Sequence, residues 1–290
     1  MEINSDAVGT ELSEYTTQVT WRDTMNYAAA IDDANPCYFD DEREEGIIAH
    51  PLFSVALLWP MIERIREIME RRGYTPEIIA TMVHYSEYLE FHRPVIPGDH
   101  LSITGSIAAI VPHRSGTHVI TRLDAKSDTA PVFTEFSGIL LRGVQCADEG
   151  SGGNEIPRVP EYSGDHPSHW ESIIHINELR PYLYDGCTDI FFPIHTSKKF
   201  ARSVGLPGII LQGTATLAYA AREIINREAG GDPRQLKSIS CRFTGMVLPG
   251  TDIHIILDGS EALNDYRNLF FHVLSQGERA ISRGYARIQG

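Results

Sequence analysis

Two residues in the second half of the chain, His195 and Gly213, have types suited to acid–base chemistry beside a developing negative charge. An imidazole can accept and return a proton near neutral pH. Gly213 opens a long apolar run, so its backbone N–H, supported by the helix dipole, could stabilise a negatively charged oxygen. The alternatives are a structural histidine and an ordinary helix N-terminus.

A second group of polar residues surrounds Pro36 in the first half of the chain. Asp33 and Asn35 precede this proline, and His50 precedes another long apolar run. Asp33 and His50 could form an acid/base pair of their own. Alternatively, Asp33 and Asn35 cap and turn the chain around Pro36, and His50 is only an N-terminal helix residue.

The same order of elements must position both groups, because the chain repeats itself. The phrase F-x-x-x-V-x-P-G begins at Phe91 and again at Phe243, 152 residues later. Each half contains a proline motif followed by a long apolar helix, predicted over 50–72 and 213–229. Strands are predicted at 15–20, 82–91, 101–111, 117–126 and 131–141, and again at 171–176, 238–243, 252–257, 269–274 and 279–288. The halves therefore indicate a tandem duplication.

These elements predict an α+β fold in which each half wraps an antiparallel sheet around one long helix, the hot-dog arrangement. Two such units in tandem make a double hot-dog. A glycine-rich stretch without hydrophobic periodicity separates them and is predicted to be a surface linker. The expected organisation is an N-terminal domain over 1–147, a linker over 148–165 and a C-terminal domain over 166–290.

The residues around His195 resemble the signature of the MaoC-like (R)-specific enoyl-CoA hydratases. That signature runs G-D-x-N-P-L-H, then F-A, G-[FY] and P-I-L-H-G, and the chain keeps its spacing from Asp189 to Gly213. A weaker match covers Tyr27 to Phe53 and includes the motif from Asp33 to Tyr38. The resemblance implies a double hot-dog in which His195 is the catalytic histidine and Gly213 supplies the N–H for the thioester oxygen.

The chain departs from this signature where the signature has its aspartate and its second histidine. Ile190 and Gln212 stand at these positions. An isoleucine cannot orient water, and an amide cannot transfer a proton at neutral pH. His195 therefore lacks its carboxylate partner unless Asp185 or Asp189, the nearest carboxylates in sequence, reaches it.

The other expected substrate contacts follow from the same resemblance. Phe192 replaces the asparagine of the signature and, with Ile190, predicts an apolar wall that suits a bulky acyl group. Asn35 and Gln212 are candidate polar contacts to the substrate.

The implied substrate carries coenzyme A, whose phosphates bring negative charge to a protein of net charge −14. A local basic group is therefore required. Lys198, Lys199 and Arg202 follow His195 on a predicted short helix, and Arg180 precedes it. We expect one or two of them to bind phosphate, the alternative being solvated surface charges. Coenzyme A enters as part of the substrate, and no separate cofactor is expected.

Composition narrows the remaining classes of protein. The acidic balance and the lack of a basic cluster argue against a nucleic-acid partner. The absence of a long apolar run and of an export signal predicts no membrane association and a cytoplasmic location. Pro167 between His166 and His169 argues against a metal pair, so no metal is expected. A homo-oligomer or a partner hot-dog subunit is possible.

The leading hypothesis is an acyl-CoA hydratase/dehydratase acting on a 2-enoyl-CoA or a 3-hydroxyacyl-CoA. One alternative is a non-catalytic hot-dog protein that binds an acyl thioester or supports a catalytic partner. Another is a hot-dog thioesterase in which Asp33 activates water to attack the thioester carbonyl.

Overall fold

The computed structural model describes residues 1–162, 164 and 169–290. The expected domain boundary at 165/166, and His166 with Pro167, lie outside the described residues. The strands are β1 Glu2–Ile3, β2 Glu11–Gln18, β3 Met82–Phe91, β4 His100–His113, β5 Gly116–Ser127, β6 Ala130–Arg142, β7 Gln145–Cys146, β8 Trp170–Ile176, β9 Leu236–Phe243, β10 Thr251–Leu263, β11 Tyr266–Ser275 and β12 Glu278–Gln289. The helices are α1 Trp21–Ala30, α2 Pro36–Phe39, α3 Phe53–Arg71, α4 Pro76–Ile79, α5 Arg180–Thr188, α6 Pro193–Thr196, α7 Lys198–Ser203 and α8 Gly213–Glu228.

A single ten-stranded antiparallel sheet runs through both halves, in the order β2-β4-β5-β6-β3-β9-β12-β11-β10-β8. Its centre is the pairing of β3 with β9, where Glu87 lies opposite Cys241. The strand order outward from this seam is the same on both sides, as a duplicated unit related by a pseudo-twofold axis requires. The predicted double hot-dog is confirmed.

The two long helices, α3 and α8, are the buried centre of each half. Alanines at 215, 218, 220 and 221 of α8 are completely buried. Alanine favours the helix, and its small side chain lets the sheet approach the helix closely. Helix α3 begins at Phe53 rather than at the predicted residue 50, since 50–52 form a turn. No helix in the described part of the chain is long and apolar enough to cross a membrane.

The described part of the linker packs against the outer face of the sheet instead of running free. Ser151 exchanges two backbone hydrogen bonds with Ile110 of β4, at 2.8 and 3.0 Å. Gly152 has a φ of +76°, and a Cβ there would lie 1.9 Å from the Ala108 carbonyl oxygen, so this close approach requires glycine. Further along, Ile156 packs on a small apolar cluster of β4, β5 and β6.

Candidate active site

His195 lies on α6 and is oriented by the backbone that leads into α8. Its Nδ1–H donates a hydrogen bond of 2.8 Å to the carbonyl of Ile210, three residues before Gly213. Because a carbonyl only accepts, the neutral ring carries its proton on Nδ1 and keeps a lone pair on Nε2. Burial lowers the pKa of His195 to about 4. At neutral pH the ring is therefore neutral and fixed in orientation, with Nε2 free to accept a proton.

The N-terminus of α8 offers free backbone donors. Gln212 precedes Gly213 with φ −58° and ψ 136° and makes no capping hydrogen bond. Among the described residues, no acceptor binds the backbone N–H of Gly213, Thr214 or Ala215. These groups lie at the positive end of the helix dipole and can stabilise an oxyanion. A Cβ on Gly213 would lie 3.0 Å from the Phe243 ring.

The corresponding end of α3 offers no such donors. Pro51, which follows His50 as Gly213 follows Gln212, has no N–H at all. The next amides are already used by the preceding turn, in which Phe53, Ser54 and Val55 donate to the carbonyls of His50, Pro51 and Leu52. The two halves thus share a fold and differ in their capacity to hold a thioester oxygen.

The structure does bring the predicted pair Asp33 and His50 together. Asp33 Oδ2 lies 3.9 Å from His50 Nε2, and the residues are 3% and 0% exposed. Leu52 N–H donates to His50 Nδ1, which leaves the proton of the neutral ring on Nε2. Asp33 Oδ2, His50 Nε2 and Tyr38 Oη have no hydrogen-bond partner among the described residues. The 3.9 Å between Asp33 Oδ2 and His50 Nε2 is too long for a direct hydrogen bond and leaves a bridging water as the way to satisfy both atoms.

The first-half pair is enclosed. A cleft of about 410 Å³ lies beside it, but its wall includes Asn35, Cys37, Arg43 and Arg234 and neither Asp33 nor His50. Burial lowers the pKa of His50 to about 3 and raises that of Asp33 to about 6. The first half therefore holds a buried polar pair without substrate access or a free amide.

Asp33→Asn should stabilise the protein at alkaline pH. The pKa of Asp33 is about 6 in the folded protein and 3.8 ordinarily, so the folded state binds this proton more tightly than the unfolded state does. The stability that the bound proton contributes is fully present below pH 3.8 and is lost as the pH rises through 6. Asparagine keeps the Oδ1 acceptor for Asn35 N–H and carries no charge. The variant should gain up to about 3 kcal/mol in free energy of unfolding at pH 8, measured in urea.

The same comparison near pH 4 should show little difference between Asp33→Asn and the wild type, because Asp33 is protonated there. Asp189→Asn is the matched control, since Asp189 is exposed and closes α5 at a φ of +55°, which asparagine tolerates. A gain at pH 8 that persists unchanged at pH 4 would contradict the assignment of the effect to the Asp33 charge.

The predicted polar contacts Asn35 and Gln212 are both engaged by backbone. Asn35 Nδ2 donates to the Gly231 carbonyl at 2.7 Å, and its Oδ1 accepts from Cys37 N–H, so the side chain ties the two halves together. Gln212 is buried and donates to the Pro181 carbonyl at 3.1 Å. Its Oε1 is buried and has no hydrogen-bond partner among the described residues.

Ile190 and Phe192, expected to form one apolar wall, lie in different environments. Ile190 is buried in the main core, whereas Phe192 is exposed and packs edge-to-face against Phe200. Neighbouring Phe191 packs edge-to-face against Trp59 of α3. The segment that precedes His195 in the second half therefore contacts the central helix of the first half. An exposed aromatic rim, rather than a wall containing Ile190, flanks His195.

Neither sequence neighbour replaces the carboxylate missing at position 190. Asp189 is exposed and closes α5, and Asp185 lies earlier on the same helix. Among the described residues, no carboxylate oxygen lies within 4 Å of a His195 ring nitrogen. His195 therefore has a backbone partner instead of a carboxylate partner.

The predicted phosphate-binding cations divide into two groups. Lys198, Lys199 and Arg202 are exposed on α7, and in the described residues no carboxylate pairs with them. Arg180 is instead buried, and its guanidinium binds the Ala30 carbonyl and the Asp32 carboxylate. Arg180 is therefore not placed to bind phosphate, because its guanidinium joins the two halves.

A partly buried polar cluster at the seam is not among the residues predicted from the sequence. It consists of His84 and Glu87 on β3 and Glu135 on β6. The available signal was the presence of two glutamates inside apolar runs predicted as strands. Tyr184 and Thr214 were also missed, and their side chains hydrogen-bond at 3.1 Å beside the start of α8.

Each half of the chain matches a known family of domains. The profile of the MaoC like domain matches residues 170–269, and that of the FAS1-like, dehydratase domain region matches residues 6–131. The enoyl-CoA hydratase 2, peroxisomal, of Arabidopsis thaliana is 26% identical over 238 residues, covering 75% of this chain and 70% of that protein. The 3-hydroxyacyl-thioester dehydratase Y of Mycobacterium tuberculosis is 25% identical over 268 residues, covering 89% and 88%.

The fold has close counterparts among solved structures. A MaoC-like dehydratase from Phytophthora capsici superposes with a TM-score of 0.82 at 20% identity, covering 99% of this chain and 98% of that one. The profiles place the His195 and Gly213 motif inside the MaoC like domain and assign the first half to a dehydratase region. The second half of the chain therefore contains a MaoC like domain, and the chain as a whole has the fold of a MaoC-like dehydratase.

Proposed function

We propose that the chain adds water to a 2-enoyl-CoA, and eliminates it from a 3-hydroxyacyl-CoA, at His195 and Gly213. The observation that carries the proposal is a backbone-oriented, neutral imidazole in the same half as a helix N-terminus with free amides. The names of the two curated relatives support this reaction class.

In the proposed hydration, the thioester oxygen accepts hydrogen bonds from the N-terminal amides of α8. Water forms a bond to C3 while His195 Nε2 takes one of its protons, and the C2=C3 electron pair moves toward the thioester oxygen. The imidazolium then returns that proton to C2, which restores the thioester carbonyl. Because the same imidazole removes the proton from water and returns it to C2, the hydroxyl and the hydrogen add to the same face of the double bond.

Two assays separate this activity from its alternatives. Hydration removes the ultraviolet absorbance of the enoyl thioester, and a panel of chain lengths should include one that reacts. Failure of every enoyl-CoA with folded protein would reject the proposal. Release of free thiol would instead identify a thioesterase, since hydration leaves the thioester intact.

For the acyl group we propose a bulky or branched chain, because Phe191, Phe192 and Phe200 expose aromatic surface near His195. Equal kcat/KM for crotonyl-CoA and bulky enoyl-CoA would contradict this preference.

For the compartment we propose the cytoplasm, which suits four free cysteines.

The cations of α7 should bind the coenzyme A phosphates. Changing Lys198 and Lys199 together to glutamate should raise KM for acyl-CoA roughly tenfold and leave kcat unchanged, because exposed ion pairs contribute modestly and remotely from the reacting atoms. Lys126→Glu, an exposed charge reversal on β5, is the matched control. A KM equal to that of the wild type would show that these lysines are only solvated.

The hydration rate should be insensitive to pH around neutrality. Only unprotonated His195 accepts a proton from water, and its pKa lies at about 4. We expect kcat/KM to stay flat between about pH 6 and pH 8, and to fall only as the pH drops through the pKa of His195. An acidic limb centred near the ordinary histidine value of about 6.5 would contradict this.

A further inference from the structure

Two buried glutamates and a histidine form a polar cluster where the halves meet. His84 Nε2 lies 2.9 Å from Glu87 Oε2, and Glu135 lies beside Glu87 on the neighbouring strand β6. Both glutamates are 2% exposed. Burial raises the pKa of each carboxyl well above its usual range.

The cluster lies next to the start of α8, although it belongs to the first half. The ring of Phe243 is 4.7 Å from the ring of His84, and the same ring borders Gly213. Burial, and to a smaller extent Glu87, raises the pKa of Tyr184, whose hydroxyl donates to Thr214 on the first turn of α8. Phe243 thus connects His84 to the proposed oxyanion site.

The fold itself does not require polar groups at these positions. The two halves repeat with an offset of 152 residues, so His84 and Glu87 correspond to Leu236 and Ile239 on β9. Both of these residues are buried in the core. The pseudo-twofold axis places those apolar residues on the side of the first half. At these two positions, the side next to the His195 and Gly213 motif has ionisable residues, which are costly to bury, and the opposite side has apolar ones.

Building on the proposed function, we propose that His84 contacts the acyl thioester in the second-half site and that the Glu87 and Glu135 pair holds it there. About a third of the His84 side chain, 35%, remains exposed, so a ligand can touch it. The site has no carboxylate at Ile190. His84 supplies a second hydrogen-bonding group beside the reacting centre, delivered from the other half of the chain. Glu87 and Glu135 are positioning residues.

The kinetic test compares histidines on opposite faces of the same sheet. His84→Ala should lower kcat by about tenfold or more while KM changes little, because the contact acts at the reacting centre. His118→Ala is the matched control, since His118 binds Ser86 of the same strand on the other face. Glu87→Gln, which can still bond His84, should preserve most of the activity that Glu87→Leu loses. Wild-type kcat in folded His84→Ala would overturn the proposal.

A second measurement does not depend on turnover or on a large side-chain deletion. The ring proton resonances of His84, assigned with His84→Asn, should shift when the protein is saturated with crotonyl-CoA, and those of His118 should not. A shift without turnover in the wild type would reject the proposed function and keep His84 as a binding residue. Normal turnover without a shift would keep the function and overturn the role of His84.

Discussion

His195→Ala should lower the rate of enoyl-CoA hydration by about 10²–10⁴, the usual effect of removing an essential proton-transfer group. The loss should appear in kcat, because in the proposed reaction Nε2 takes the proton of water as the bond to C3 forms. Steady-state hydration of the best enoyl-CoA in the panel measures it. The variant should fold normally, since His195 is partly exposed and, within the described part of the chain, its side chain bonds only the Ile210 carbonyl.

The control for this substitution is the enclosed pair of the first half. His50→Gln and Asp33→Asn remove the titratable groups there while keeping side chains of similar size. Both should retain hydration within a few fold, because neither residue is exposed to a substrate. If His195→Ala stays active and Asp33→Asn loses a comparable factor, the reaction takes place in the first half and the assignment is wrong.

Gly213→Pro should lower kcat by about 10²–10³, as expected for loss of one preorganised oxyanion donor. Proline removes the N–H but is accepted at the first position of a helix. Gln212 already has the extended conformation that a following proline requires, with ψ at 136°. The fold should therefore survive while the donor is lost, and circular dichroism with steady-state kinetics would check both.

Gly213→Ala is the matched control, because it adds a Cβ at the same place and retains the N–H. Its Cβ would lie 3.0 Å from the Phe243 ring, so a small steric cost is expected. A clearly larger loss in Gly213→Pro than in Gly213→Ala would isolate the amide. Equal losses in the two variants would show that crowding against Phe243, rather than hydrogen bonding to the thioester, controls the rate.

The duplicated architecture was accessible from the sequence because its signals are local and occur twice. The phrase at Phe91 and Phe243 marks equivalent strand ends, and β3 extends over the predicted residues 82–91. Helix α8 begins at the predicted Gly213. The start of α3 was misplaced because the turn at His50 donates and accepts backbone hydrogen bonds as a helix start does.

The sequence by itself determined the double hot-dog, the family resemblance and the motif that contains His195 and Gly213, because periodicity and motif spacing are properties of short segments. It favoured His195 and left Asp33 with His50 as the reserve acid/base candidate. Only the tertiary structure showed how the two sites differ, since burial and the use of backbone amides depend on what packs around each motif. The cluster of His84, Glu87 and Glu135 likewise required the fold, because strand pairing unites residues that the chain keeps far apart.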